Sequence, residues 1–315
     1  RKRGEWGGLV INGNAPINAC AKGVAVCEAI SEGIKSKEVK FGGNDSEDNS
    51  GVLKYVVVEF AGYPISQDNE LNGISFNGVG SGTEVEYIQV HMNADDGVEF
   101  FGGTVNVKHV VLTANEDDSM DWDMGWVGKA QFVLIDQGQD AVDNGFEADN
   151  LKSPMNAEPR SNPIMSNVTM IGSSKSAYGM LLRRGTGAQL SNFIITGFSK
   201  ACIDIDDSET FKNAASVNEQ GVLTATGLAM SYSLMNCPKS FEAEANDPWS
   251  TESWYKSQVG NKLGNPELSG WLLSATSPAW NMGMTPDDFF FEPVDYIGAI
   301  GKTDWTQGWV SKSLQ

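Results

Sequence analysis

"NADDGVEFFGG", residues 93–103, decides the fold, because the chain writes it again. "NEDDSMDWDMG" follows at residues 115–125, and each version sets two aspartates before a short apolar run that keeps an acid inside it. The shared cores are "DGVEFF" from Asp96 and "DSMDWD" from Asp118, and further copies lie outward: "NGISFN" from Asn72 and "NGFEAD" from Asn144. Weaker ones are "YGMLLR" from Tyr178, "ACIDID" from Ala201 and "KSFEAE" from Lys239, and successive starts are 22 to 38 residues apart. A second series interleaves: "YVVVEF" from Tyr55, "YIQVHM" from Tyr87, "HVVLTA" from His109, "QFVLID" from Gln131, "NVTMIG" from Asn167 and "NFIITG" from Asn192. Short β-branched and aromatic runs bounded by Gly, Asn and Asp are strand signals. A unit holding at least two such strands in 22 to 26 residues is one coil of a parallel β-helix, a solenoid whose coils share a core. The Leu/Asn signature of a leucine-rich repeat is missing, and a propeller blade needs about 40 residues.

Strand alternation assigns the faces. Ile74 and Phe76, Val98 and Phe100, Met120 and Trp122, Phe146 and Ala148, Met180 and Leu182, Ile203 and Ile205 point inward. One outward ladder then reads Ser75, Glu99, Asp121, Glu147, Leu181, Asp204, and the next reads Asn77, Phe101, Asp123, Asp149, Arg183, Asp206. The acidic phrase is therefore one face of a stacked sheet, met once per coil. The solenoid, of eight to ten coils, is expected over residues 1–245, with residues 246–315 as an aromatic-rich C-terminal capping segment. Residues 149–163 and 207–227 read as loops leaving the solenoid, the second with room for a helical turn. In "DPWSTESWYKSQ", Asp247 is the expected N-cap of a short helix and Pro248 its first residue. Six of the nine tryptophans lie from Trp249 onward, and we read them as cap packing rather than as sugar-stacking platforms.

Lys and Arg total 22 against 41 Asp and Glu, for a formal charge of -19. Such a chain repels phosphate backbones, so no nucleic-acid partner is expected. No apolar run is long enough for a membrane span. The opening "RKRGEWGG" leads straight into a strand-like run, which suggests a processed or incompletely seen N-terminus. Cys20, Cys27, Cys202 and Cys237 form no C-x-x-C motif. Their even number suits an oxidising compartment. Cys20–Cys27 with Cys202–Cys237 is the preferred pairing among three connectivities, and four free thiols are the remaining possibility.

The stretches "EWGGLVINGNAPIN", "DNSGVLKYVVVEFAG", "NELNGISFNGVGSGTEVEYIQVHMNADDGVEFFGGTVNVKHVVL" and "FFFEPVDYIGAIGKTDWTQGWV" resemble a family of secreted bacterial surface proteins. Those are right-handed parallel β-helices of the broad pectin-lyase-like class. The resemblance spans nearly the whole chain. It implies an all-β, right-handed parallel β-helix and a secreted, extracellular or cell-surface setting, and it implies no activity. Relatives carry strands upstream of Trp6-Gly7-Gly8.

Coils of a parallel sheet sit about 4.8 Å apart. Glu99, Asp121 and Glu147 then form a carboxylate ladder, with Asp123 and Asp149 beside it and Asp95, Asp96, Asp117, Asp118 and Asp143 at its upstream turn. Unit charges at that spacing repel by roughly 3–4 kcal/mol per pair at an effective dielectric near 20. Protonation, screening by solvent and salt, or a hard cation resolves the conflict. Calcium, which takes six to eight oxygens in irregular geometry, is the expected ligand. The competing view is a solvated acidic face with Asx turns.

Pectate lyases on this fold hold calcium through stacked acids and abstract a proton with an Arg or Lys of a neighbouring coil. Arg183, beside Asp149, would be that base here. Polygalacturonase-like hydrolases share a "DD" motif that resembles Asp95-Asp96. Their upstream acid is replaced by Asn72 here, and no Gly-His-Gly occurs. His91 and His109 lie within strands and read as structural. The expected function is a non-catalytic extracellular scaffold or adhesive module, calcium-stabilised and associating end to end, into fibres, or with extracellular polysaccharide. The alternative is a calcium-dependent lyase of acidic glycans.

Overall fold

The computed structural model describes residues 1–33, 39–65, 71–139 and 143–312. Asn69 and Glu70 of the quoted resemblance, and the last three residues of the capping segment, lie outside them. Two parallel sheets run the length of a right-handed β-helix. Among the described residues the short-strand sheet has seven strands: Leu9–Asn12, Ile74–Asn77, Val98–Phe101, Met120–Asp123, Phe146–Ala148, Tyr178–Leu182 and Ala201–Ile205. The long-strand sheet stacks Val52–Glu59, Glu84–His91, Asn106–Thr113, Lys129–Asp136, Ile164–Ile171 and Ala188–Thr196, then shorter pieces up to Lys262–Leu263. From Ile74 to Ile205 the chain alternates between the two sheets, one strand of each per coil. Among the described residues the long-strand sheet stacks eight strands along its path, the lower bound of the eight to ten coils expected. After residue 207 the chain leaves the coil path for the helix Ser208–Ala214 and an antiparallel hairpin of Ala215–Val217 with Leu223–Ala225. The weak copy at Lys239 contributes only a single bridge, Phe241 to Ile203.

The inward ladders of the short-strand sheet are those that alternation assigns, and from Ile74 to Ile205 each is buried. Gly97 shows why Asp-Gly and Asn-Gly precede them. A Cβ there would sit 2.5 Å from the carbonyl oxygen of Ser119 on the next coil. The long-strand sheet breaks simple alternation. Its mid-strand residues Tyr55, Tyr87, His109, Phe132, Asn167 and Asn192 all have φ between 54° and 60°. That left-handed conformation reverses the parity, so Val85 and Ile88, three apart, both reach the core. It costs roughly 1–2 kcal/mol per residue. The aromatic members recover part of this by stacking, with centroids 4.6 Å apart for Tyr55–Tyr87, 4.2 Å for Tyr87–His109 and 5.0 Å for His109–Phe132.

The residues from 246 onward divide in two. The helix Thr251–Lys256 closes the C-terminal end, where Trp254 donates to Leu228 O (3.1 Å) and the Tyr255 hydroxyl to Ser233 O (2.9 Å). Its N-cap is Ser250, not Asp247. Ser253 N donates to Ser250 Oγ, while the Asp247 carboxylate is already taken by Glu244 N one turn earlier. Ser250→Ala should cost about 1 kcal/mol, read as a small drop in melting temperature, whereas Asp247→Ala should leave the helix intact. Residues 265–312 instead run back along the outer face of the long-strand sheet as a strap. That face is apolar, with Val111, Leu134, Ile194 and Leu234 pointing out, and the strap covers it with Trp271, Trp305 and Trp309 among others. Four buried amides hold the strap. Asn192 bonds Met284, Asn167 bonds Tyr296 and Gly298, Gln131 bonds Glu292, and Gln89 bonds Ser311, all through strap backbone.

Cys20 is bonded to Cys27 and Cys202 to Cys237. The second bridge ties the last short strand to the chain that follows Leu234–Asn236. Among the described residues no helix is long and apolar enough to cross a membrane.

Candidate metal centre

The short-strand sheet pairs Ser75 with Glu99, Glu99 with Asp121, Asp121 with Glu147, Glu147 with Leu181 and Leu181 with Asp204. The outward acids of successive coils therefore stand directly above one another. At the upstream turn, backbone spends one oxygen of each inner aspartate. Asp118 N donates to Asp96 Oδ1 (3.0 Å) and Asn144 N to Asp118 Oδ1 (2.8 Å), so each carboxylate caps the next coil. This is the local reason for repeating Asp or Asn at that position.

Eight of the expected ligands come together in four overlapping triads: Asp95, Asp96 and Asp117; Asp96, Glu99 and Asp121; Asp117, Asp118 and Asp143; Asp118, Asp121 and Glu147. Within each triad one oxygen per residue lies within 4.8 Å of the others. Asp123 and Asp149 stand outside the triads. Asp123 accepts a hydrogen bond from Met124 N, and burial pushes its pKa up to about 7. Asp149 is clasped by Arg183 Nε (3.0 Å) and Arg184 Nη1 (2.6 Å).

Asp96, Glu99, Asp118 and Asp121 all have pKa values raised well above the carboxylate range. Burial is the main cause in each, and neighbouring carboxylates add to it. Glu99 is partly relieved by Asn72, whose side-chain N–H donates to it and to Ser75 Oγ. Glu147 rises to about 7 through burial, against the opposing pull of Arg183. Asp121 has no such relief. Its Oδ1 is buried and has no hydrogen-bond partner, and Glu99, Asp96, Glu147 and Asp149 all raise its pKa. A buried oxygen left without a donor among other carboxylates fits a cation far better than it fits solvent.

Arg183 lies where the second outward ladder puts it, bonded to Asp149 and Glu147. Burial lowers its pKa, but these carboxylates outweigh burial and raise it overall. The histidines lie on the long-strand sheet and in none of the triads, and His109 Nδ1 is 3.2 Å from Glu86 Oε1. His91 Nδ1 is 2.7 Å from Thr113 Oγ1, and His109 is stacked in the aromatic ladder. Sequence reasoning missed two contributors. Asn72 occupies the Asp96 position one coil earlier, and its Asn-Gly signature was the available signal. Arg184 gave no signal, because its reach to Asp149 depends on the path of the insertion before it.

No curated protein and no solved structure matches the chain. The model of the pectate-lyase-like beta helix domain matches residues 1–310, and with that match the chain belongs to the pectate-lyase-like β-helix family.

Proposed function

We propose that this protein is a secreted, non-catalytic scaffold or adhesive module of the extracellular or bacterial cell-surface space, stabilised by calcium on its acidic ladder. The observation that carries the reading is the orphaned Asp121 Oδ1 at the centre of the overlapping triads. Glu99, Asp121 and Glu147 would hold the ion on the face, with Asp95, Asp96, Asp117, Asp118 and Asp143 at the turn. The set is all oxygen, as a hard cation requires. Two disulfides suit an oxidising compartment. A rigid rod with one long recognition face suits attachment to extracellular polysaccharide or to further copies of the chain. Sedimentation at high concentration, with and without calcium, tests self-association, and a strict monomer in both removes that partner.

The lyase alternative needs a guanidine able to accept a proton. Arg183 is held by two carboxylates that stabilise its charged form, the opposite of what a base needs. Incubation with a panel of uronate polymers should therefore give no rise in ultraviolet absorbance from unsaturated products. A rise that disappears in Arg183→Ala would replace the scaffold reading with the lyase.

A further inference from the structure

Where the strap crosses the aromatic ladder it leaves a cavity of about 380 Å³, within the range that holds small ligands. Phe132 and the ring of His109 come from the sheet, and Trp280, Tyr296 and Trp305 from the strap. The indole N–H of Trp280 is spent on Ser274 O (2.8 Å) and that of Trp305 on Ala299 O (2.9 Å). Both rings are thus anchored by their polar edge. Trp122, Trp126 and Trp254 are wholly buried in the solenoid, but Trp280, Tyr296 and Trp305 keep part of their surface open.

The rim chooses the ligand. Glu292 and Asp295 are exposed acids, and Lys302 and Thr303 are exposed donors beside them. Glu292 already pairs with Lys108 at 3.1 Å, and Asp295 and Lys302 add one charge of each sign. The cavity is therefore nearly neutral on a chain of net charge -19. An organic cation would be drawn by unbalanced acids around aromatic rings, which this rim lacks. A uronate finds no unbalanced cation either, because the one lining ammonium, Lys302, is offset by Asp295. A neutral pyranose meets every feature. Its C–H face packs on aromatic rings, and its hydroxyls both donate to carboxylates and accept from ammonium and hydroxyl groups.

We propose that this cavity binds a neutral pyranose residue of a glycan. The site lies on the sheet that does not carry the acidic triads. It deepens the adhesive half of the reading above and owes nothing to calcium.

The test is calorimetric titration of the full chain with cellotetraose, xylotetraose, mannotetraose and maltotetraose, with trigalacturonate and tetramethylammonium as the competing chemistries. At least one neutral tetrasaccharide should bind with a Kd of about 1 mM or tighter. Trp280→Ala should weaken it at least tenfold. Asp295→Ala, at an exposed position that cannot disturb the core, should weaken it about threefold. Affinity should be the same in chelator, so failure of the calcium reading leaves this one standing, and the reverse. The assignment is overturned by no binding of any neutral sugar, by binding that ignores both variants, by calcium-dependent binding, or by tighter binding of trigalacturonate or tetramethylammonium.

Discussion

Chelating calcium at neutral pH is expected to lower the melting temperature by about 5 °C relative to calcium in hundredfold excess over its Kd. An ion that binds the folded solenoid and not the unfolded chain adds RT ln(1 + [L]/Kd), about 2.7 kcal/mol at that excess. A chain of this size loses roughly 2 °C per kcal/mol. Asp121→Asn should shrink the difference most, because position 121 has acids above and below it and enters two of the four triads. The same variant should be more stable than the parent in chelator, since it removes a buried carboxyl whose ionisation no neighbouring cation or donor favours. Asp204→Asn is the control. It lies on the same ladder beyond Leu181 and belongs to no triad, so the calcium effect should survive it. A melting temperature indifferent to calcium, chelator and Asp121→Asn would make the acidic phrase a solvated face.

What the sequence disclosed depended on parity. The short-strand sheet alternates strictly, so Glu99, Asp121 and Glu147 could be stacked from spacing alone. The cysteine pairing was also accessible, as one of three choices. The long-strand sheet was less legible, because the left-handed residues at Tyr87, His109 and Phe132 move the inward set by one position within a strand. Gln89 and Gln131 occupy what look like solvent positions. Only the strap, arriving from more than 150 residues away, turns them into buried clasps. The same strap explains the C-terminal tryptophans. They read as cover for an end, but the larger unmet need was the apolar flank of Val111, Leu134 and Ile194. Asp149 looked like a ladder ligand for a related reason. The second outward ladder already set Arg183 beside it, but the further clasp by Arg184 rests on a tertiary approach that no local pattern encodes.

In chelator the protein should lose stability as pH rises from about 4 to 8, and calcium should cancel much of that loss. The raised acids set the sign. Unfolded, a carboxyl group releases its proton near pH 4. Folded, Asp123 and Glu147 hold theirs to about 7, Asp204 to about 6, and Asp96, Glu99, Asp118 and Asp121 are also raised well above the usual range. Across that window the folded state binds more protons than the unfolded one, so stability falls with rising pH. The contribution is complete below about pH 4 and lost as each folded pKa is passed. A tenfold difference in proton affinity between the folded and unfolded states is worth about 1.4 kcal/mol, so several acids together make this a multi-degree effect. The lower limit is set by acids that behave oppositely, such as Glu242, whose hydrogen bond to Lys239 lowers its pKa and is lost on acidification. Calcium competes with the protons for the same oxygens. Its binding should tighten as pH rises, and the chelator-induced drop in melting temperature should be larger at pH 8 than at pH 5. A chelator effect that is equal at both pH values would mean that the ion binds elsewhere than on these carboxylates.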